Sequence, residues 1–252
     1  MPEENTKETK KRKISSEDAL KILDSLYAKA CDGIPHVSPT IEEFANDYLK
    51  KNSSKYVAST IMLNNQVAKC TTSGIITGFG GAIIMPVSIP ANIASVLYVQ
   101  IRMIACCAYM GGYDVRSDQV QTFIYACLAG VSINGVVKKF GVTFGQKLAL
   151  NGVKKIPGKV LTKINQRIGF RFMTKFGEKG LINLGKMIPV VGAVINGGFD
   201  YAETKVIASR AYKMFIENDI NVGEEDPEIL EGDFEEIIQE SDSEKLPTSQ
   251  NS

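Results

Sequence analysis

The chain has 252 residues, with 29 lysines and arginines against 28 aspartates and glutamates, so its net charge is close to +1. A length of this order suits one larger domain with tails and can bury a sizeable core without disulfide or metal staples. Apolar residues make up 44 % and charged residues 23 %, the balance of a globular protein, and the near-zero net charge singles out no class of partner.

Residues 1–14 are charged almost throughout and carry too little apolar surface to order themselves, so a disordered tail is expected there. No apolar run follows Lys13, so no secretory signal is expected. Ser15 or Ser16 then reads as an N-cap, with Glu17 and Asp18 in the first turn, where negative charge suits the helix dipole. Leu20, Ile22, Leu23, Leu26 and Tyr27 follow at helical spacing, and Gly33 and Pro35 end the helix. A second helix is predicted from Ser38-Pro39-Thr40, with Ile41, Phe44, Ala45 and Tyr48 as its apolar stripe, and a third over 53–70.

From Lys69 to Asp114 only Arg102 is charged. Gly74, Gly78, Gly80 and Gly81 precede the breaks at Pro86 and Pro90, and a helix is predicted over 91–110, closed by Gly111-Gly112. Another helix is predicted over 118–137, then a basic helical stretch over 142–179 interrupted near Gly152 and Pro157. Residues 188–198 are apolar and glycine-rich, with Pro189 and Gly192, and a last amphipathic helix is predicted over 201–215. No alternating run argues for a sheet, so the fold class is all-α: a single multi-helix domain over 15–216. An acidic tail follows over 217–252, with thirteen acids and the single base Lys245.

A membrane-spanning helix needs about 20 consecutive apolar residues. Residues 75–93 are broken by Pro86 and Pro90, 91–110 contain Asn92, Gln100 and Arg102, and 119–137 contain Gln119, Gln121, Ser132 and Asn134. Burial inside an α-domain is the leading expectation, and short or re-entrant membrane helices are the alternative.

Five cysteines, Cys31, Cys70, Cys106, Cys107 and Cys127, lack the even number and regular spacing of a disulfide framework. Buried thiols in a reducing compartment, hence a cytoplasmic protein, are expected. His36 is the single histidine, which excludes multi-histidine metal or acid–base sites; a Cys31–His36 nucleophile pair has no further residue to support it. The glycines at 78, 80 and 81 are followed by Ala82-Ile83 where a phosphate cradle needs Lys and Ser or Thr. They read as helix-packing or turn positions, together with Pro86, Pro90, Pro189 and Gly192. No cofactor and no metal is expected.

Two polar features remain. An isolated buried guanidinium is costly, so Arg102 is expected to be paired, with Asp114, Asp200 or Asp118 as carboxylate partners. Arg102, Asp114 and Asp200, with Gln100 and Tyr113, form a candidate polar site for an anionic ligand. Lys159, Lys163, Arg167, Arg171, Lys175 and Lys179 recur every four residues, beside Leu161, Ile164, Ile168, Phe172 and Phe176. That is the pattern of a basic amphipathic helix, a candidate surface for anionic lipid or a membrane protein. Nucleic acid is not expected, because the chain has no tryptophan and no reader motif. The acidic tail reads as a solubilising segment, with masking of the basic helix as the alternative.

Three blocks are similar to the EcsC family. They are Gly80-Gly81 with Ile84-Met85-Pro86-Val87-Ser88-Ile89-Pro90-Ala91-Asn92-Ile93; Val99-Gln100-Ile101-Arg102-Met103-Ile104-Ala105 with Gly112-Tyr113-Asp114; and Ile188-Pro189-Val190-Val191-Gly192-Ala193. The family pattern places an acid where this chain carries Asn92. The resemblance implies a helical fold and a weak membrane association, and it supplies no reaction. The leading expectation is a non-enzymatic protein, peripheral to the inner face of a membrane or partner-binding through the basic helix. An enzyme using Arg102, Tyr113 and Asp114 is the alternative.

Overall fold

The computed structural model describes residues 15–71, 91–139, 150–176, 198–219 and Val222. Within them the chain is helical, and the one extended pairing is an isolated bridge between Ile34 and Ser38. Helix α1 spans Ser16–Asp32. Ser15 caps it, accepting from the Asp18 N–H while the Asp18 carboxylate accepts from the Ser15 N–H, a reciprocal capping box. Helix α2, Ile41–Lys51, starts with the same device, built from Thr40 and Glu43. Helix α3 covers Lys55–Thr71 and α4 covers Ala91–Met110.

Residues 118–137, expected as one helix, form two: α5 at Asp118–Ala129 and α6 at Ile133–Lys139. Gly130 breaks them. It takes a left-handed conformation with φ 71°, and its N–H and that of Val131 close back on the last turn of α5. The basic stretch splits as expected, into a short α7 at Leu150–Val153 and a long α8 at Gly158–Phe176. Helix α9, Gly198–Ala211, runs into a π-helical turn at Tyr212–Ile216. Packing continues past Ile216, where the sequence places the start of the tail: Asn218 accepts a hydrogen bond from the Tyr113 hydroxyl and Val222 is buried. The disorder expected of 1–14, and of the tail over 217–252 apart from 217–219 and Val222, lies outside the described residues, as do the packing positions Gly78, Gly80, Gly81, Pro86, Pro90, Pro189 and Gly192.

The architecture is organised around α4, which packs against α1, α2, α3, α5 and α9. A helix surrounded on all sides has no solvent face, and this is why α4 is apolar all round rather than striped. Its Ile93–Met110 stretch has the length and mean hydropathy of a membrane span, yet 83 % of it is buried by this chain's own helices. Close approaches are set by glycines near its end and on α8. A Cβ at Gly111 would stand 2.1 Å from the Phe215 carbonyl oxygen of the π turn, and one at Gly169 would stand 2.9 Å from the Ser16 carbonyl oxygen of α1.

Candidate functional site

Arg102 lies on the α4 face turned to the α1–α2 connection. It is buried, 4 % exposed, as its isolation in the sequence predicts. Its partners are different from those expected. One guanidinium nitrogen donates to the Ala30 carbonyl at 2.8 Å, another to the Pro39 carbonyl at 2.5 Å, and the group stacks 4.6 Å above the centre of the Phe44 ring. Among the described residues no carboxylate lies within ion-pair distance of it. Ala30 is in the last turn of α1, whose terminal carbonyls have no helical partner and carry the negative end of the helix dipole. The positive charge is therefore met by oriented carbonyls and an aromatic face, which explains its tolerance without an acid.

One turn earlier on α4, Tyr98 shares a 2.7 Å hydrogen bond with the Ser38 hydroxyl, which also accepts from the Ile34 N–H. Tyr98 and Arg102 thus bind the tight loop 33–40 from one helix face. Gly33 and His36 give that loop its left-handed φ values, 77° and 63°. Outside the loop, Arg116 reaches both Asp32 at the end of α1 and Glu42 at the start of α2, a tie exposed to solvent.

The remaining members of the expected polar site are dispersed. Gln100 is on the opposite side of α4 and donates to the Thr204 hydroxyl of α9 at 2.9 Å. Burial pushes the Tyr113 phenol up to about 12; its ring packs edge-on against Phe215. Asp114 is exposed and serves the turn before α5: its carboxylate accepts from the Arg116 N–H and its carbonyl from Ser117. Asp118 is exposed in the first turn of α5, and the Asp200 side chain lies outside the described residues. Arg102, Tyr113 and Asp114 face three separate neighbours. An interior slot of about 10 Å³ between Leu97, Gln100, Arg171 and Glu203 has room for no more than one water.

On α8 four apolar side chains at helical spacing are engaged in the core. Val160, Ile164, Ile168 and Phe172 are buried, and the helix packs between α1 and α5. Leu161, expected in that stripe, is only partly buried. Lys159 and Lys163 are exposed, but Arg167 and Arg171 are half-buried, and Arg171 donates to the Gly130 carbonyl at 3.0 Å. The expected single basic face is thus wound around the helix. Four residues advance ~400°, so a four-residue repeat overshoots by ~40° per step and turns ~120° between 159 and 171. The Lys175 and Phe176 side chains and all of Lys179 lie outside the described residues.

The EcsC protein family model matches residues 4–216. The chain belongs to the EcsC family. No curated protein and no solved structure matches it.

In this EcsC chain the sequence reading missed a recurring device, arginine at a helix C-terminus. Arg102 serves α1, while Arg171 and Arg210 converge on the end of α5; the Arg210 guanidinium lies 2.7 Å from where a Cβ at Gly130 would stand. No spacing rule links these arginines to their carbonyls, because the partners are 41 and 72 residues away in sequence. Cys31 and His36 form no nucleophile pair. The Cys31 thiol is buried beside Tyr27, burial raises it, and His36 is exposed in the loop. Among the described residues no three His, Cys, Asp or Glu side chains converge as metal ligands.

Proposed function

We propose that this EcsC chain is a non-enzymatic, cytoplasmic protein that docks reversibly on anionic lipid at the inner face of a membrane, through the exposed lysines of α8 and the turn before it. The observation that carries the reading is the state of α8. The helix has no acidic residue over 158–176, and Lys154, Lys155, Lys159 and Lys163 are exposed. Among the described residues none of the four has an ion-pair partner. The five buried free cysteines support a reducing compartment.

The geometry also favours one mode of docking. Because Val160, Ile164, Ile168 and Phe172 are held in the core, these residues are not free to enter the acyl region, and the attraction is electrostatic. Each lysine near such a surface contributes at most about 1 kcal/mol, so four give about 4 kcal/mol, roughly a thousandfold in partitioning. That is a weak, salt-dependent attachment. Membrane insertion through α4 would require exposing a helix that five others surround.

Sedimentation with phosphatidylcholine vesicles, with and without phosphatidylserine, tests the reading. Binding should require phosphatidylserine and fade as salt rises, and K159Q/K163Q should weaken it about 30-fold, the equivalent of ~2 kcal/mol. Equal binding to neutral vesicles, or retention through a carbonate wash, would overturn it.

A further inference from the structure

Charge in this chain is segregated by position. Residues 15–222 hold twenty-three bases and fourteen acids, a net charge of +9, whereas 223–252 hold one base and eleven acids, a net charge of −10; the first fourteen residues supply the remaining +2. The near-neutral total therefore conceals two nearly equal and opposite parts. Val222 is buried against the core and Asn218 accepts from Tyr113, so the residues just before the acidic segment are held on the domain.

We infer that the acidic segment 224–244 docks on the exposed lysines of α8, Lys159 and Lys163, and competes there with anionic lipid. The inference deepens the reading of that surface as an anion-binding face and rests on it for the lipid part alone. Three observations support the contact. Lys159 and Lys163 are unpaired among the described residues, although Lys51 and Arg116 elsewhere on the surface are paired. Ten of the segment's eleven acids lie between Glu224 and Asp242, without an intervening base, so that its charge density matches a run of lysines rather than a single one. Reach does not limit the contact: 22 residues from Gly223 span up to ~75 Å when extended. A domain of about 200 residues has a radius of gyration of only ~16 Å.

Exposed ion pairs are individually weak. Tethering compensates, because a segment on the same chain is present at an effective concentration in the millimolar range. The product is a contact that forms at low salt, opens at high salt, and yields to a surface with a higher density of negative charge. That makes the tail a threshold on lipid composition: sparse anionic lipid loses to it and dense anionic lipid displaces it.

Two measurements on the full-length protein separate the contact from its consequence. A carbodiimide joins a lysine amine to a carboxylate only where the two already touch. Peptide mapping of monomeric, lipid-free protein at low salt should find Lys159 or Lys163 joined to residues 224–244, and the product should vanish in about 1 M salt, where the screening length is ~3 Å. Absence of that product at low salt overturns the inference. A full-length variant carrying Glu224→Gln, Glu225→Gln, Asp226→Asn, Glu228→Gln, Glu231→Gln, Asp233→Asn, Glu235→Gln and Glu236→Gln should bind phosphatidylserine vesicles about tenfold more tightly than the parent at low salt. Equal binding by parent and variant refutes the competition. If the cross-link forms and neither protein binds the vesicles, the docking stands and the lipid reading of α8 is what fails.

Discussion

Replacing Arg102 by methionine tests how this protein holds a buried charge. Methionine keeps the length and apolar stem but removes the donations to Ala30 and Pro39 and the stack on Phe44. Hydrogen bonds from a charged donor contribute about 1.5–3 kcal/mol each, and a desolvated cation–π contact up to about 2. Against this stands the relief of burying a charge, worth several kcal/mol. The net expectation is a loss of about 3 kcal/mol, or roughly 6–12 °C in melting temperature for a domain of this size. Urea denaturation at 25 °C measures it. Two controls separate carbonyl capture from an ion pair. The penalty should be the same at pH 5 and pH 8, because carbonyls do not titrate, and the effects of Arg102→Met and Asp114→Asn should add within ~0.5 kcal/mol. A variant unfolding at the parent's midpoint, or a coupling above ~1 kcal/mol with Asp114, would refute the assignment. Arg102→Lys should recover only part of the loss, since a single ammonium lacks the planar fork that reaches both carbonyls.

The glycine contacts and buried thiols give two further expectations. Gly111→Ala should cost at least ~3 kcal/mol by urea midpoint, because its methyl would meet the Phe215 backbone, which cannot rotate away; Gly112→Ala, strained by its φ of 90° but meeting only the Leu150 side chain in ordinary contact at 3.7 Å, should cost only ~1–2 kcal/mol. Burial pushes the Cys127 thiol up to about 12 from an ordinary 9, so its neutral form is favoured by folding, and that stability is full below pH 9 and is lost as pH rises from 9 towards 12. Alkylation of Cys127 at pH 8 should accordingly wait on unfolding, and rapid modification of the native protein would contradict the burial.

Much of the local structure was legible in the sequence. Ser15 and Asp18 announce the start of α1, and the stretch from Ala91 to Met110, closed by two glycines, gives α4 to the residue. Arg102 was legible as buried, because one charge among so many neutral residues has few other places to be. Its partners were not, since main-chain carbonyls carry no signature in the side-chain sequence, and carboxylates are the partners that a sequence displays. The break at Gly130 was hidden for a related reason. Glycine is tolerated inside helices, and only the left-handed φ, with Arg171 donating to the Gly130 carbonyl, marks the position as an end.

The two arginine sites show how buried helix ends are satisfied around the apolar α4 of this chain. A helix that ends inside the protein leaves carbonyls that water would otherwise satisfy. A carboxylate-paired arginine would add a second buried charge and a second desolvation cost. A guanidinium directed at a helix C-terminus adds one charge and satisfies existing acceptors, with the dipole in its favour. Arg102 does this for α1, and Arg171 for α5 through the Gly130 carbonyl. The same arrangement accounts for the fate of the basic stripe on α8. The repeat that brings Lys159 and Lys163 to the surface turns Arg171 inward to the end of α5, so one four-residue periodicity supplies both a solvent-facing pair of lysines and a helix cap. Lengthening α8 by one residue between Lys163 and Arg167 would rotate the later part of the stripe by ~100° relative to the earlier part. It should remove the Gly130 contact and lower the urea midpoint while leaving Lys159 and Lys163 exposed. An insertion variant as stable as the parent would show that the cap and the surface charges are independent.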